Sequence, residues 1–181
     1  MIPRGGRDAH RALRRFAVLV LLAGPVELGA QTRPAAPAPD APTRPCLVER
    51  IVDGDTLVCD DDERVRLIGI DAPERTQTPY GAHATAALAQ WAPEGATVLL
   101  ELDVAERDRY GRVLAYVWRE RTLVNLALVE SGVAFVTTVP PNVRYVELLT
   151  AAQTRARSGG LGFWGAAEPP CRPADHRQGR C

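Results

Sequence analysis

From Cys46 onward the chain alternates apolar and polar positions in short runs separated by turn signals. Cys46–Val52 alternates toward one apolar face, Thr56–Cys59 follows a tight Asp53-Gly54 turn, and Arg64–Ile70 is a mostly apolar run. Thr97–Leu102 and Val113–Trp118 complete a set of about five strands. Three segments switch to helical spacing. Tyr80–Trp91 is alanine-rich, Leu123–Ser131 runs up to Gly132, and Tyr145–Ser158 stops at Gly159-Gly160. Glycine readily takes the left-handed backbone that ends a helix. Five short strands interleaved with three helices predict an α+β domain, a small closed barrel of the OB type with helices packed against it. The strand pattern by itself also suits other α+β folds.

The same pattern sets the boundaries. Residues 1–15 carry Arg4, Arg7, Arg11, Arg14 and Arg15 against a single acid, Asp8, and an apolar run from Phe16 to Gly24 follows. A charged segment followed by a short apolar one is the pattern of a secretory signal, and the run is too short for a bilayer, which needs about 20 residues. Leu28-Gly29-Ala30 offers small residues for cleavage, so residues 1–30 read as a signal peptide and the product as exported, periplasmic or secreted. Residues 31–45 hold five prolines and no core-forming run, a semi-rigid spacer. The folded domain is expected over residues 46–165, with residues 166–181 as a tail. A hydrophobic fraction of 46% is enough to build a core for it.

Charge narrows the function classes. All 22 basic residues are arginine, and they balance 22 acids. Residues beyond position 30 hold 17 arginines against 20 acids. A broad basic face of the kind that grips duplex DNA is therefore absent from the composition. Any phosphate binding has to come from a local site, where the planar guanidinium suits bidentate contact. The four cysteines, Cys46, Cys59, Cys171 and Cys181, have no zinc-site spacing. They allow three pairings. Cys46 and Cys59 flank the Asp53-Gly54 turn almost symmetrically, which suggests a hairpin bridge and leaves Cys171 and Cys181 to close the tail.

Three polar segments interrupt the apolar pattern. Asp53-Gly54-Asp55-Thr56 alone reads as a hairpin turn. Arg66-Leu-Ile-Gly-Ile-Asp71-Ala-Pro-Glu74 ends an apolar strand at a proline, which lacks the ladder donor, so Asp71 and Glu74 emerge at a strand end. Arg66 and Asp71 are separated by an odd spacing, which on a regular strand sets them on opposite faces; Gly69 offers the bulge or strand end that would bring them together. Asp108-Arg109-Tyr110-Gly111-Arg112 alone is a charged turn into a strand. Taken together, the segments supply two aspartates as hard oxygen ligands for a Ca²⁺-like cation, a glutamate that can act as a base, and two arginines that can neutralise a phosphate.

In this order and at these separations the three segments resemble the signatures of the staphylococcal nuclease (thermonuclease) family. The resemblance runs from about Val48 to Trp164, and takes in Tyr80-Gly81, the run Val124-Asn125 to Val129, and Phe163-Trp164. It implies an OB-barrel with three helices that hydrolyses DNA and RNA with Ca²⁺ and leaves 3′-phosphates. Asp55 and Asp71 would hold the cation with the carbonyl of Ala72, where the family usually has threonine. Glu74 would be the general base, Arg66 and Arg112 the phosphate and transition-state groups. Asp53 would orient the metal region, and Arg109 and Tyr110 would touch a terminal phosphate. Two departures stand out: the Glu74–Tyr80 loop is short and nearly uncharged, and Phe135–Pro141 lacks base-stacking tyrosines. With so little basic surface, flexible single strands are the expected substrate, cut by a monomer. The competing reading is a non-catalytic nucleic-acid-binding module of the same fold.

Overall fold

The computed structural model describes residues 38–181; the expected signal peptide and the first part of the spacer lie outside the described residues. Five strands build the barrel: β1 (Thr43–Asp53), β2 (Thr56–Cys59), β3 (Arg64–Leu67), β5 (Thr97–Arg107) and β6 (Val113–Arg119). Their order is β3-β2-β1-β5-β6, antiparallel throughout, and a parallel pairing of β3 with β6 closes the sheet on itself. Closure leaves neither β3 nor β6 as an open edge. A short strand β7 (Thr122–Leu123) extends β6, and β4 (Ile70–Asp71) pairs with β8 (Phe135–Val136) outside the barrel.

The barrel interior is filled from alternating positions. Val48, Leu57, Val65, Leu67, Val98, Leu100, Ala115 and Val117 are all buried. Three helices cover the barrel: α1 (Tyr80–Trp91), α2 (Val124–Glu130) and α3 (Val146–Ser158). Leu88, Leu128 and Leu149, one on each helix, are fully buried, and α2 shows apolar residues nearly all round because it lies between the barrel and α3. Asn125, also on α2, is fully buried and satisfied. Its amide donates to the Ile68 carbonyl at 2.8 Å, and its oxygen accepts the Val117 N–H at 2.9 Å. One side chain thereby ties a helix, β6 and the end of β3.

Several details differ from the expectation. The apolar run Arg64–Ile70 is two strands, β3 and β4, because Gly69 takes φ +80° and turns the chain between them. β1 starts at Thr43, inside the expected spacer. The chain is held further upstream too: the N–H groups of Asp40 and Ala41 each donate to Glu101 at 3.0 Å. Glu101 is wholly buried, and its carboxylate also accepts from Trp118 Nε1 (2.7 Å), the Tyr145 hydroxyl and Arg144 (2.6 Å). A buried charge needs such a full set of partners. Burial and the Glu101 charge together hold the Tyr145 hydroxyl well above its usual pKa.

The tail also carries structure. A 3₁₀ turn (Gly162–Gly165) and a fourth helix, α4 (Pro173–His176), follow α3. Disulfides join Cys46 to Cys59 across the β1–β2 hairpin and Cys171 to Cys181 around α4.

Candidate active site

The β1–β2 turn places the first two acids. Asp53 accepts the backbone N–H of Asp55 at 3.1 Å, which fixes the turn. Gly54 is required there: a Cβ would lie 2.5 Å from that of Ala84 on α1 and 2.7 Å from that of Ala72. The turn is thus pressed against the helix and against the Asp71-Ala72 segment. Asp55 points inward, 6% exposed, and its Oδ2 accepts the Ala72 N–H at 2.8 Å.

Arg66, opposite Thr56 in the β2–β3 ladder, reaches across this floor. Its Nε lies 3.0 Å from Asp55 Oδ1, its Nη2 3.1 Å from Asp71 Oδ1, and its Nη1 2.9 Å from the Ile70 carbonyl. The turn at Gly69 makes this possible by swinging Asp71 back over the strand that carries Arg66. Glu74 follows on a loop pinned by Gln77, whose side-chain oxygen accepts the Glu74 N–H at 2.8 Å. Gly81, at the start of α1, packs directly on the Glu74 carbonyl, where no side chain would fit. Arg112 is aimed by Asp108, 2.7 Å from its guanidinium, in a turn closed by Gly111 at φ +81°. Arg109 stacks on the Tyr110 ring at 4.8 Å, and both residues are exposed at the rim.

One cavity of about 460 Å³ gathers all nine residues singled out in the sequence: Asp53, Asp55, Arg66, Asp71, Ala72, Glu74, Arg109, Tyr110 and Arg112. Pro73 and one unforeseen residue, Arg177, complete its wall.

The electrostatics separate the acids. Burial pushes the Asp55 carboxyl from 3.8 up to about 6; Arg66 opposes the shift, and the neighbouring charges of Asp53 and Asp71 add to it. Asp108 goes the other way. Partial burial works against its charge, but hydrogen bonds from the Arg112 side chain and from the Tyr110 and Arg112 N–H groups outweigh that and hold it below the usual carboxylate range.

Asp55 is therefore a buried carboxylate with too little compensating positive charge, beside a second buried carboxylate, Asp71. Their donors are hard oxygens, with the Ala72 backbone next to them. This set fits a divalent cation of the Ca²⁺ or Mg²⁺ kind and does not fit a thiophilic metal. A second cluster, Cys59, Asp61 and Glu63, brings ligand atoms within 4.8 Å of one another. It makes a poor site. Cys59 is in a disulfide, and Glu63 is already paired with Arg44 and Arg107.

A family profile described as staphylococcal nuclease homologue matches residues 64–166. The chain belongs to that family. The thermonuclease of Staphylococcus intermedius is 40% identical over 126 residues, covering 65% of this chain and 74% of the relative. The thermonuclease of Staphylococcus hyicus is 36% identical, with 65% and 73% covered. Endonuclease YncB of Bacillus subtilis is 31% identical over 148 residues, with 74% and 70% covered. These relatives mark this staphylococcal nuclease homologue as a nuclease. The profile match starts after Asp53 and Asp55, so the place of those two acids in the site rests on the geometry above.

Sequence reasoning missed Arg177 in this staphylococcal nuclease homologue. Its Nη2 lies 3.1 Å from Asp71 Oδ2, and its Nη1 donates to Asp71 Oδ1 at 3.2 Å and to Glu74 Oε1 at 2.5 Å. Its hydrogen bond to Asp71 is the largest influence holding its guanidinium charged. More than a hundred residues separate it from those acids in the chain. No periodicity links them, and only the cysteine pair hinted that the tail is closed into a defined loop. His83 is exposed on α1, whereas His176 of the tail meets Thr76 at 2.9 Å.

Proposed function

We propose that this nuclease is an exported, Ca²⁺-dependent phosphodiesterase that hydrolyses DNA and RNA and leaves 3′-phosphate ends. The convergence of two arginines, a glutamate and two buried aspartates on one cavity carries the reading. Asp55 and Asp71 would hold the cation with the Ala72 carbonyl, and Asp53, through the Asp55 backbone, keeps the turn in place. Bound there, the cation supplies Lewis acidity to a phosphate oxygen and offsets the crowded carboxylate charge.

The chain's own groups do the rest. Glu74, a third exposed, takes the proton of the attacking water at its carboxylate. Arg66 is held by Asp55, Asp71 and the Ile70 carbonyl, so its guanidinium is oriented before substrate arrives. Arg112, steered by Asp108, closes on the phosphate from the opposite wall. Charge on the phosphate oxygens grows as water attacks, and preoriented guanidiniums stabilise that growth without reorganising. Arg109 and Tyr110, at the rim, touch the terminal phosphate of the strand.

The absence of lysine and the even charge balance favour a flexible single strand, whose phosphate can enter the cavity, bound by a monomer. The two disulfides agree with an oxidising compartment and hence with export.

The test is degradation of single-stranded DNA by the chain from Gln31, with Ca²⁺, with Mg²⁺ and with EGTA, alongside Glu74→Gln. Cleavage with Ca²⁺ that vanishes with chelator and drops about 10²–10⁴-fold in the variant supports both the cation and the base. A folded protein that binds nucleotide and cuts nothing in any metal would sink it.

A further inference from the structure

The tail is seated on the active-site wall by contacts spread over its length. The Tyr80 hydroxyl donates to the Glu168 carbonyl at 2.7 Å, and Gln77 Nε2 donates to the Cys171 carbonyl at 2.7 Å. Pro173 is buried, the Arg172 guanidinium lies 5.9 Å from the Phe135 ring, and His176 meets Thr76. Three of these anchors, Thr76, Gln77 and Tyr80, belong to the short loop after Glu74 and the start of α1. The Cys171–Cys181 disulfide closes the segment around α4. The next residue, Arg177, is thereby delivered to the cavity from the tail side.

What Arg177 does there is specific. Its guanidinium spans two carboxylates, taking both oxygens of Asp71 and one of Glu74. Those are the acids to which the proposed function assigns cation binding and proton removal. The arrangement is incompatible with that role while it lasts. A guanidinium on both Asp71 oxygens competes for the same lone pairs as a divalent ion, and two positive groups repel at that distance. A Glu74 carboxylate already accepting from Arg177 is a poorer base. The guanidinium nevertheless has a way out: Asp71 is buried, but the Arg177 side chain is half exposed and its second partner, Glu74, a third exposed, so the arginine faces solvent on its outer side. Its long stem can swing outward while Pro173 and the backbone anchors stay put.

We propose that Arg177 is a built-in counter-ion of the catalytic carboxylates that a divalent cation must displace, so the tail sets the cation concentration at which the site becomes competent. This rests on the reading of Asp71 as a cation ligand. The same device protects the site when the cation is scarce, since it neutralises acids that would otherwise repel one another.

The experiment is calorimetric titration of CaCl₂ alone, without nucleic acid, into the chain from Gln31. It compares the unaltered protein with Arg177→Gln and with Arg180→Ala. Arg180 sits on the same tail and pairs with Asp175, away from the cavity. The expected result is a Kd at least fivefold lower for Arg177→Gln and unchanged for Arg180→Ala. An Arg177→Gln Kd equal to or higher than the parent's overturns the inference and leaves the cation reading standing. An equal gain in Arg180→Ala overturns it too, by assigning the effect to the tail's overall charge. No Ca²⁺ binding in any of the three overturns the cation reading, and the inference with it.

Discussion

Arg66 Nη2 lies 3.1 Å from Asp71 Oδ1, although the two residues are five positions apart and one continuous strand would point them to opposite faces. The left-handed turn at Gly69 resolves this, ending β3 and restarting the chain as β4. Gly69 also has no room for a side chain, since a Cβ would lie 2.6 Å from Leu149 Cδ1. Gly69→Ala therefore meets both backbone strain and a clash with a core leucine. The expected loss is on the order of 1–3 kcal/mol of stability in urea unfolding. Cleavage measured where the variant is still folded should fall as well, because Asp71 moves relative to Arg66. A variant with parental stability and activity would mean that this turn does not set the pair.

The two arginine positions on the Asp108–Arg112 turn should separate kinetically. Arg112 is held by Asp108 at 2.7 Å and faces the cavity, while Arg109 lies at the rim on Tyr110. Arg112→Ala should lower kcat by 10²-fold or more, roughly 3 kcal/mol, as for a donor that acts on transition-state charge. Arg109→Ala should raise KM less than about tenfold and leave kcat nearly alone, as for an exposed ion contact of about 1 kcal/mol. Steady-state kinetics on a short oligonucleotide decides it: similar kcat losses in both variants would remove the distinction.

Much of this site was legible because its residues sit in three short segments, each anchored to a strand end whose apolar pattern is plain. Asp53-Gly54-Asp55 was readable as a turn, and its burial follows from Gly54 fitting against Ala84 and Ala72, a contact no local pattern encodes. The break at Gly69 was suspected from one residue. The strand β4 was not foreseen, because its pairing with Phe135–Val136 spans a distance that two residues of sequence cannot signal. Arg177 was illegible for a related reason: a polar, proline-containing tail reads as solvent-facing, and its place depends on scattered contacts with Thr76, Gln77 and Tyr80.

Asp55 gives the metal-free protein a distinctive pH dependence. Its carboxyl titrates near 6 in the fold against 3.8 as a free side chain. The folded state thus binds a proton that the unfolded state has released, so this group stabilises the fold below pH 4 and that contribution is lost as pH rises through 6. The shift corresponds to at most roughly 3 kcal/mol. In EGTA, the stability of the parent relative to Asp55→Asn should therefore fall between about pH 4 and pH 6. Millimolar Ca²⁺ should restore the parent above pH 6 and leave Asp55→Asn unmoved. Flat pH profiles for the difference in urea-unfolding free energy would show that Asp55 is not the under-compensated charge described above.

The Cys46–Cys59 bridge spans the hairpin at the end away from Asp55, with Cα atoms 5.4 Å apart and the cysteines 13 positions apart in sequence. Cross-linking a loop of that size removes chain entropy from the unfolded state, worth about 3 kcal/mol in the loop-closure account. Cys46 and Cys59 are also buried, in the same core cluster as Val48 and Leu57, so alanine replacements lose some packing as well. The Cys46→Ala, Cys59→Ala double variant should be less stable by about 2–4 kcal/mol in urea. Reducing agent, which also opens Cys171–Cys181, should destabilise the parent as well. Activity per folded molecule should stay within about twofold of the parent, because Asp53, Gly54 and Asp55 are held at the other end of the hairpin by the Ala72 N–H and by α1. If kcat collapses while the fold survives, the bridge reaches the site through the hairpin, and the local account of how Asp55 is positioned fails.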